Sequence, residues 1–404
     1  MGPLELIKEV ANTEKTSLPH AIQTALDKNP KTQANEMRLK AEFERITTQK
    51  QAAFLPRFGV QAMQDINDSS KKSAAVNLNW NIFNSFSDYY RLQAQECNYK
   101  KQEAQYNSTD AFIKNTSGQI AGLVANYFLN LANSRSELIT LANTMLFLDA
   151  LGKAGASAEQ QIQIENMKNS YQVRIDQVSS NLAIAEQNYK YIVTEQAPET
   201  VENLDETIQS IQVPVNSEEA YQIGLDKSPE ILTAKLGLQC LQLGHKATQA
   251  SQRGVRVDVT AGTTTNFQDK RTNTAYIIVS KNFGVDTFTS GKSELSQIDA
   301  ARLDLDGSID DLKNNLFVNY KQLEGRTKAA QSYEKNFKRI EKQIQDVLEH
   351  GRASKEQIDL LVNLIGAYHG NWMNMSMAKQ EIINLKFSIQ RNIGTLFETT
   401  KNNG

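Results

Sequence analysis

The feature that most constrains this chain is an internal repeat, because a sequence written twice must fold as two similar units. Residues 21–30 (AIQTALDKNP) match residues 220–229 (AYQIGLDKSP). Weaker matches follow in the same order at nearly the same separation: Asn81-Ile82-Phe83 with Lys281-Asn282-Phe283, Asn126-Tyr127 with Asn319-Tyr320, and Gly155 and Gln161-Ile162 with Gly351 and Gln357-Ile358. The chain is therefore predicted to contain two copies of a unit of about 195 residues.

The repeat also sets the predicted domain boundaries. These are an N-terminal tail (1–17), repeat 1 (18–195), a linker (196–216), repeat 2 (217–399) and a C-terminal tail (400–404). Pro198 and Pro214 mark the linker, because proline interrupts regular structure.

Long helices are predicted in both repeats. No proline occurs from Arg57 to Ala197 or after Pro229, and an interior proline would cost a helix about 3 kcal/mol. Mostly apolar residues recur at steps of three and four, which is coiled-coil spacing. Examples are Tyr127, Leu131, Ser134, Leu138, Leu141, Met145 and Leu148, and then Ile358, Leu361, Ile365, Tyr368, Trp372 and Met375. Each repeat is expected to start with one helix, about Leu18–Phe54 or Ser217–Gln252. It should end in a long antiparallel helical hairpin, whose first helix in repeat 1 is about Ser87–Leu151.

Two strands are predicted between these helices in each repeat. Val76, Leu78, Trp80 and Ile82 alternate with Asn77, Asn79 and Asn81, so the strand has one apolar and one polar face. The same alternation occurs in Phe58, Val60 and Ala62, and in Val255, Val257, Val259 and Ala261. The segment near Ala275–Phe283 alternates poorly. The fold class is thus mostly α with a small β part, with two β-hairpins per chain.

Composition excludes several classes of function. The formal net charge is −2, from 44 basic and 46 acidic residues, whereas a nucleic-acid binder would normally be basic. No pair among His20, His245, His350 and His369 has metal-ligand spacing, so we expect no metal, cofactor or catalytic site. Cys97 and Cys240 are interpreted as small residues on helix faces, with a disulfide left open. No apolar run reaches the ~20 residues of a membrane-spanning helix, and the first residues lack the apolar core of a signal peptide.

The strands favour a conduit. Long thin hairpins cannot cover an apolar sheet face, and each strand has the ~10 residues that span a bilayer when tilted. Four strands cannot close a barrel, and open edges are not tolerated in lipid, so several chains must share one barrel. On this reading Val76, Leu78, Trp80 and Ile82 face lipid, and Asn77, Asn79 and Asn81 face a water-filled lumen. The alternative is a soluble coiled-coil scaffold or interaction protein, which would dissolve without detergent.

Several local motifs resemble the TolC-like outer-membrane efflux and secretion factors, and the resemblance covers about residues 18–397. The motifs are Leu18-Pro19-His20-Ala21-Ile22, Asn29-Pro30, Phe54-Leu55-Pro56, Trp80-Asn81-Ile82-Phe83, Ser228-Pro229, Asn282-Phe283 and Ser290-Gly291. The resemblance implies a homotrimer with a twelve-stranded barrel in the bacterial outer membrane and a helical tunnel through the periplasm. It also implies a passive duct, not an enzyme, for small-molecule efflux or type I protein secretion. Its partners would be outer-membrane lipid, a periplasmic adaptor (membrane fusion protein) and an inner-membrane pump, with no nucleic acid.

The helix reversals are the predicted periplasmic end of such a duct. The candidate pore-tip residues are Gly155, Gln161, Gly351, Glu356 and Asp359. Glu356 and Asp359 could form an acidic, cation-attracting ring where chains converge. The competing interpretation is that they only favour the start of a helix.

Overall fold

The computed structural model describes residues 15–64, 72–84, 86–106, 116–154, 156–266, 270–281, 286–349 and 354–396. This part of the chain is mostly helical with one small antiparallel sheet, which confirms the predicted class. The elements of the first half are α1 Leu18–Lys28, α2 Pro30–Phe54, β1 Arg57–Gln64, β2 Lys72–Phe83, α3 Ser87–Tyr106, α4 Ser117–Lys153 and α5 Ala158–Val193. The others are α6 Leu204–Ser210, α7 Ser217–Lys227, α8 Pro229–Arg253, β3 Arg256–Asn266, β4 Lys270–Ser280, α9 Asp286–Glu349 and α10 Lys355–Asn392.

The first helix of each half is broken, which corrects the predicted single helices. Asn29 has φ −69° and ψ 124°, and Ser228 has φ −57° and ψ 125°, so neither residue is helical. Both precede a proline, whose ring disfavours the helical conformation in the residue before it. The proline then begins the next helix, where its missing N–H costs nothing.

The predicted continuous helix Ser87–Leu151 is also wrong. Thr116 has an extended backbone, with φ −64° and ψ 154°, and its side chain caps α4 by accepting from the Gln119 backbone N–H. Residues 107–115 lie outside the described part of the chain. The corresponding helix of the second half, α9, is continuous from Asp286 to Glu349.

The sheet joins strands from the two halves. Its order is β1-β2-β3-β4 and every pair is antiparallel. The central pair is β2 with β3, in which Leu78 lies opposite Ala261. Among the described helices, none is both long and apolar enough to cross a membrane.

The chain divides into two compact units, and each unit takes segments from both halves of the sequence. Unit 1 comprises residues 1–33, 107–229 and 311–404, and unit 2 comprises residues 34–106 and 230–310. The larger core of unit 1 brings together α1, α4, α5, α6 and α10, with Ile22, Phe128, Tyr189 and Phe387 among its buried residues. Unit 2 contains the sheet.

The segment predicted as a linker is ordered against the core of unit 1. It contains the short helix α6, which is capped by Asn203 and buries Leu204. Lys386 donates to the carbonyl oxygens of Ile208 (2.6 Å) and Ile211 (3.0 Å), at the negative end of this helix. Burial lowers the pKa of Lys386 below its ordinary value.

Cys97 of α3 and Cys240 of α8 form a disulfide, with a Cα–Cα distance of 5.4 Å. Both residues belong to unit 2. The disulfide that the sequence left open is therefore formed, and the favoured interpretation of the two cysteines as only small residues on helix faces is wrong. A pairing between residues 143 positions apart leaves no local spacing signal in the sequence.

A buried ion pair crosses between helices of unit 1. The Glu137 carboxylate of α4 accepts from Arg174 Nε of α5 at 2.7 Å, and His369 Nε2 of α10 lies 3.6 Å from it. Burial of Glu137 acts to raise its pKa, but the nearby His369 imidazole and Arg174 guanidinium outweigh that effect and lower the pKa below its ordinary value. The carboxylate therefore stabilises the folded state while it is charged.

The disulfide should contribute about 2–4 kcal/mol to stability, because it closes a long loop in the unfolded chain. We expect a reductant to lower the thermal unfolding temperature of the detergent-solubilised protein. The double variant Cys97→Ser/Cys240→Ser should unfold at the lower temperature with or without reductant. Two titratable thiols in the unreduced protein would contradict the cross-link.

Replacing Glu137 with Gln should cost about 2 kcal/mol at neutral pH, the size of a charge-assisted hydrogen bond. The contribution is fully present above the ordinary carboxyl pKa of about 4.3 and is lost as the pH falls through the lower folded-state value. Asp149→Asn is the control, because the Asp149–Lys168 ion pair (2.6 Å) also joins α4 to α5 but its carboxylate is 53% exposed. Equal losses of stability for the two variants, or a pH-independent loss in Glu137→Gln, would contradict this role.

Candidate functional site

One side of the sheet of unit 2 carries a broad apolar patch. Residues directly opposite each other in an antiparallel pair project to the same side, and Phe58 pairs with Leu78, which pairs with Ala261. The apolar patch on this side consists of Phe58, Val60, Ala62, Val76, Leu78, Trp80, Val257, Val259, Ala261, Ile277 and Val279. Toward the connection between β3 and β4 the same side becomes polar, with Thr263, Thr265, Arg271 and Asn273. The exposed fraction is 76% for Phe58, 80% for Val60 and 69% for Ile277, so this apolar face is open within one chain.

The opposite face of the sheet is polar in β1, β2 and β3. Asn79 accepts from the Thr260 hydroxyl at 3.1 Å, and Arg256 Nε lies 2.6 Å from Asp258 Oδ2. The side chain of Asn77 lies directly over Gly262: a Cβ added there would be 2.6 Å from Asn77 Oδ1. Glycine is therefore required at position 262 for this side chain to lie flat across the neighbouring strand.

The register places the strand residues on the sides predicted from alternation, with one irregular position. Val76, Leu78 and Trp80 lie on the apolar side, and Asn77, Asn79 and Asn81 lie on the polar side. Ile82 falls within a shift of register between residues 81 and 83, so its side is not set by simple alternation.

The last strand explains why its segment alternates poorly. Ile277 and Val279 of β4 pair with Val259 and Val257 and belong to the apolar side. Tyr276 and Ile278 are also large and apolar, but they lie on the polar side. Large apolar residues therefore follow one another on both sides, and period two disappears from the sequence.

The helix tips of unit 1 carry two identical caps. Ser157 begins α5 and Ser354 begins α10, and each hydroxyl accepts from the backbone N–H of a glutamine three residues later, Gln160 or Gln357, at 3.3 Å. Each glutamine side chain accepts in return from the serine backbone N–H. This reciprocal capping box fixes both helix starts.

One of these glutamines also joins the two tips. Gln160 is 4% exposed, and its Nε2 donates to the Lys355 carbonyl oxygen (3.1 Å) and to Asp359 Oδ1 (2.7 Å). Buried side chains of both tips pack beneath this contact, among them Leu151, Ala156, Ile344 and Ile358. The tips of the two hairpins are thus held together within one chain.

Asp359, which takes part in this contact, and Glu356 both lie on the exposed face of α10. Glu356 and Asp359 are one turn apart and both are exposed. The Glu356 backbone N–H and then the Ser354 side chain lower the pKa of the Glu356 carboxyl below its ordinary value, so it is charged at neutral pH. The two carboxylates give the tip a local negative charge.

The other residues predicted at the tips, Gly155, Gln161 and Gly351, have no described role in joining the two tips. Gln161 is exposed, and its side-chain amide donates to the Ala156 carbonyl oxygen (3.3 Å) of its own hairpin. Gly155 and Gly351 lie outside the described residues. Within the described part of the chain, no three acidic, histidine or cysteine side chains are grouped as they would be around a metal ion.

Neither a protein-family model nor a curated protein matches the sequence. Solved structures do match the fold. CusC, described in terms of folding and transmembrane channel formation, has a TM-score of 0.65 at 13% identity, over 97% of this chain and 95% of that chain. The outer membrane protein VceC from Vibrio cholerae has a TM-score of 0.66 at 11% identity, over 94% and 96%.

The open state of the Neisseria gonorrhoeae MtrE outer membrane channel has a TM-score of 0.66 at 12% identity, over 94% of this chain and 89% of that chain. At such identities the likeness establishes the fold. The chain has the fold of outer-membrane channels, and the TolC-like resemblance is confirmed at that level.

Replacing Gln160 with Ala should loosen the contact between the two tips. It removes both hydrogen bonds to α10, and an unsatisfied or lost bond of this kind costs about 1–2 kcal/mol. We expect faster amide hydrogen exchange in residues 355–360, measured by mass spectrometry. Gln161→Ala is the matched control and should leave exchange in residues 355–360 unchanged, and equal protection in the two variants would show that Gln160 does not join the tips.

Proposed function

We propose that the chain is one subunit of a passive exit duct in the bacterial outer membrane. The observation that carries this proposal is the four-stranded sheet with an exposed apolar face and an opposite face bearing Asn77, Asn79 and Asn81. An apolar outer face and a polar inner face are the pattern of a membrane barrel around water. The likeness to outer-membrane channel structures supports the same conclusion.

A single chain cannot complete that barrel. Within the described residues, β1 and β4 pair on one side only, which leaves two edges whose backbone groups need partners in lipid. We infer that three copies close a twelve-stranded barrel and that their helices form a tunnel through the periplasm. A periplasmic adaptor and an inner-membrane pump would then supply either small molecules or a secreted protein.

The tips give this duct a closed end with few contacts. In a trimer, the pairs of Glu356 and Asp359 would converge and attract cations into a narrow mouth. Because Asp359 accepts from Gln160, separating the tips would remove a bond from one of these carboxylates. The periplasmic end is thus proposed to rest closed and to open when partners dock.

The face assignment is tested by two charged substitutions at nearly the same depth. Leu78→Arg should prevent outer-membrane assembly, because arginine on the lipid side at the membrane midplane costs about 2–4 kcal/mol. Asn77→Arg should assemble, because Gly59 and Gly262 oppose it and leave room on the polar side. The measurement is the amount of trimer in detergent extracts of the membrane, determined by light scattering.

The same measurement distinguishes a duct from a soluble scaffold. A wild-type chain that is a stable monomer without detergent would contradict the proposed function. Equal losses of trimer in the two variants would contradict the assignment of the faces.

A further inference from the structure

A polar cavity of about 700 Å³ lies in unit 2, against the polar face of the sheet. Its walls include Asn79, Asn81 and Thr260 from the strands and Ser87 and Ser251 from the helices. The volume lies in the range of about 300–1,000 Å³ that is typical of small-molecule sites. Such sites are usually lined by apolar side chains, so this polar lining favours a small polar solute over an apolar one.

Five charged side chains also line the cavity, three arginines and two aspartates, so their net charge is positive. Arg256 Nε lies 2.6 Å from Asp258 Oδ2, and Arg91 Nη2 lies 2.7 Å from Asp88 Oδ1. Both carboxylates are therefore engaged, and Asp88 also accepts from the side chain of Asn84. The fifth charge is Arg57, for which no described carboxylate lies within ion-pair distance.

Arg57 is placed to hold an anion. It begins β1 and pairs with Asn79, which puts it on the polar side of the sheet, and it is exposed to solvent. A guanidinium presents a planar fork of N–H donors that matches the two oxygens of a carboxylate or phosphate. The neighbouring amides and hydroxyls can complete the hydrogen bonding of such a group.

We propose that this cavity binds a small soluble oxyanion through a carboxylate or phosphate group, with Arg57 as its principal ligand. Phosphate on a lipid headgroup offers the same chemistry, but the cavity lies on the side of the sheet opposite the exposed apolar face. A lipid inserted along that apolar face would not reach it. The site lies within one chain, so it is independent of whether the protein conducts.

The test uses inorganic phosphate and the detergent-solubilised full chain. Binding is measured by line broadening of the phosphorus NMR signal across a titration. We expect saturable broadening that Arg57→Gln weakens by about tenfold, the size of one charge-assisted contact. The matched control is Arg38→Gln on α2, because Arg38 is also exposed and its guanidinium donates to the uncharged Asn35 side chain (3.2 Å).

A variant with a gain of binding separates the proposal from simple misfolding. Asp258→Asn frees Arg256 and adds a second unpaired guanidinium to the cavity, so phosphate should bind more tightly than in the wild type. Absence of saturable broadening, or equal binding by wild type and Arg57→Gln, would overturn the proposal. Phosphate binding that is unaffected by micelles of a short-chain phosphatidylglycerol supports a soluble ligand, whereas full displacement by them would overturn that assignment.

Discussion

The pairing of β2 with β3 is the interaction on which the sheet depends, because it joins strands from distant parts of the chain. Without it, two isolated hairpins would remain, and an isolated hairpin is marginally stable at best. The pairing also aligns the sides of all four strands. A slip of one residue would move every apolar side chain to the polar side, and a side chain in place of Gly262 would displace the Asn77 amide that lies over it.

Periodicity in the sequence predicted the strands and most of their sides, because successive residues of a strand project to opposite sides of the sheet and leave a period of two. It failed in β4, where Tyr276 and Ile278 place large apolar groups on the polar side. Absence of proline together with apolar residues at steps of three and four predicted the long helices, but it did not predict where they end. Pro30 and Pro229 were both noted in the sequence. The helix is interrupted at the residue before each proline, Asn29 or Ser228, because the proline ring restricts the backbone of that residue.

Contacts between distant residues were beyond a reading of one sequence. Asp359 was predicted to lie near a helix tip because it follows a turn in the sequence. Its hydrogen bond with Gln160 was not predicted, because it depends on how the two hairpins pack. The serine and glutamine of each cap, three residues apart, are a local signal that could have located both helix starts. Nothing local predicts that Glu137 meets Arg174 and His369, since each residue comes from a different helix.

The disulfide turns part of the chain into a closed covalent ring. The ring runs from Cys97 through α4, α5 and the segment 196–216 to Cys240, and it contains one of the two helical tips. A protease that cuts once anywhere inside this ring opens it without releasing a fragment, since both pieces stay joined through sulfur. One cut at this helical tip would therefore add the mass of one water to the protein. The two pieces would separate only after the disulfide is reduced.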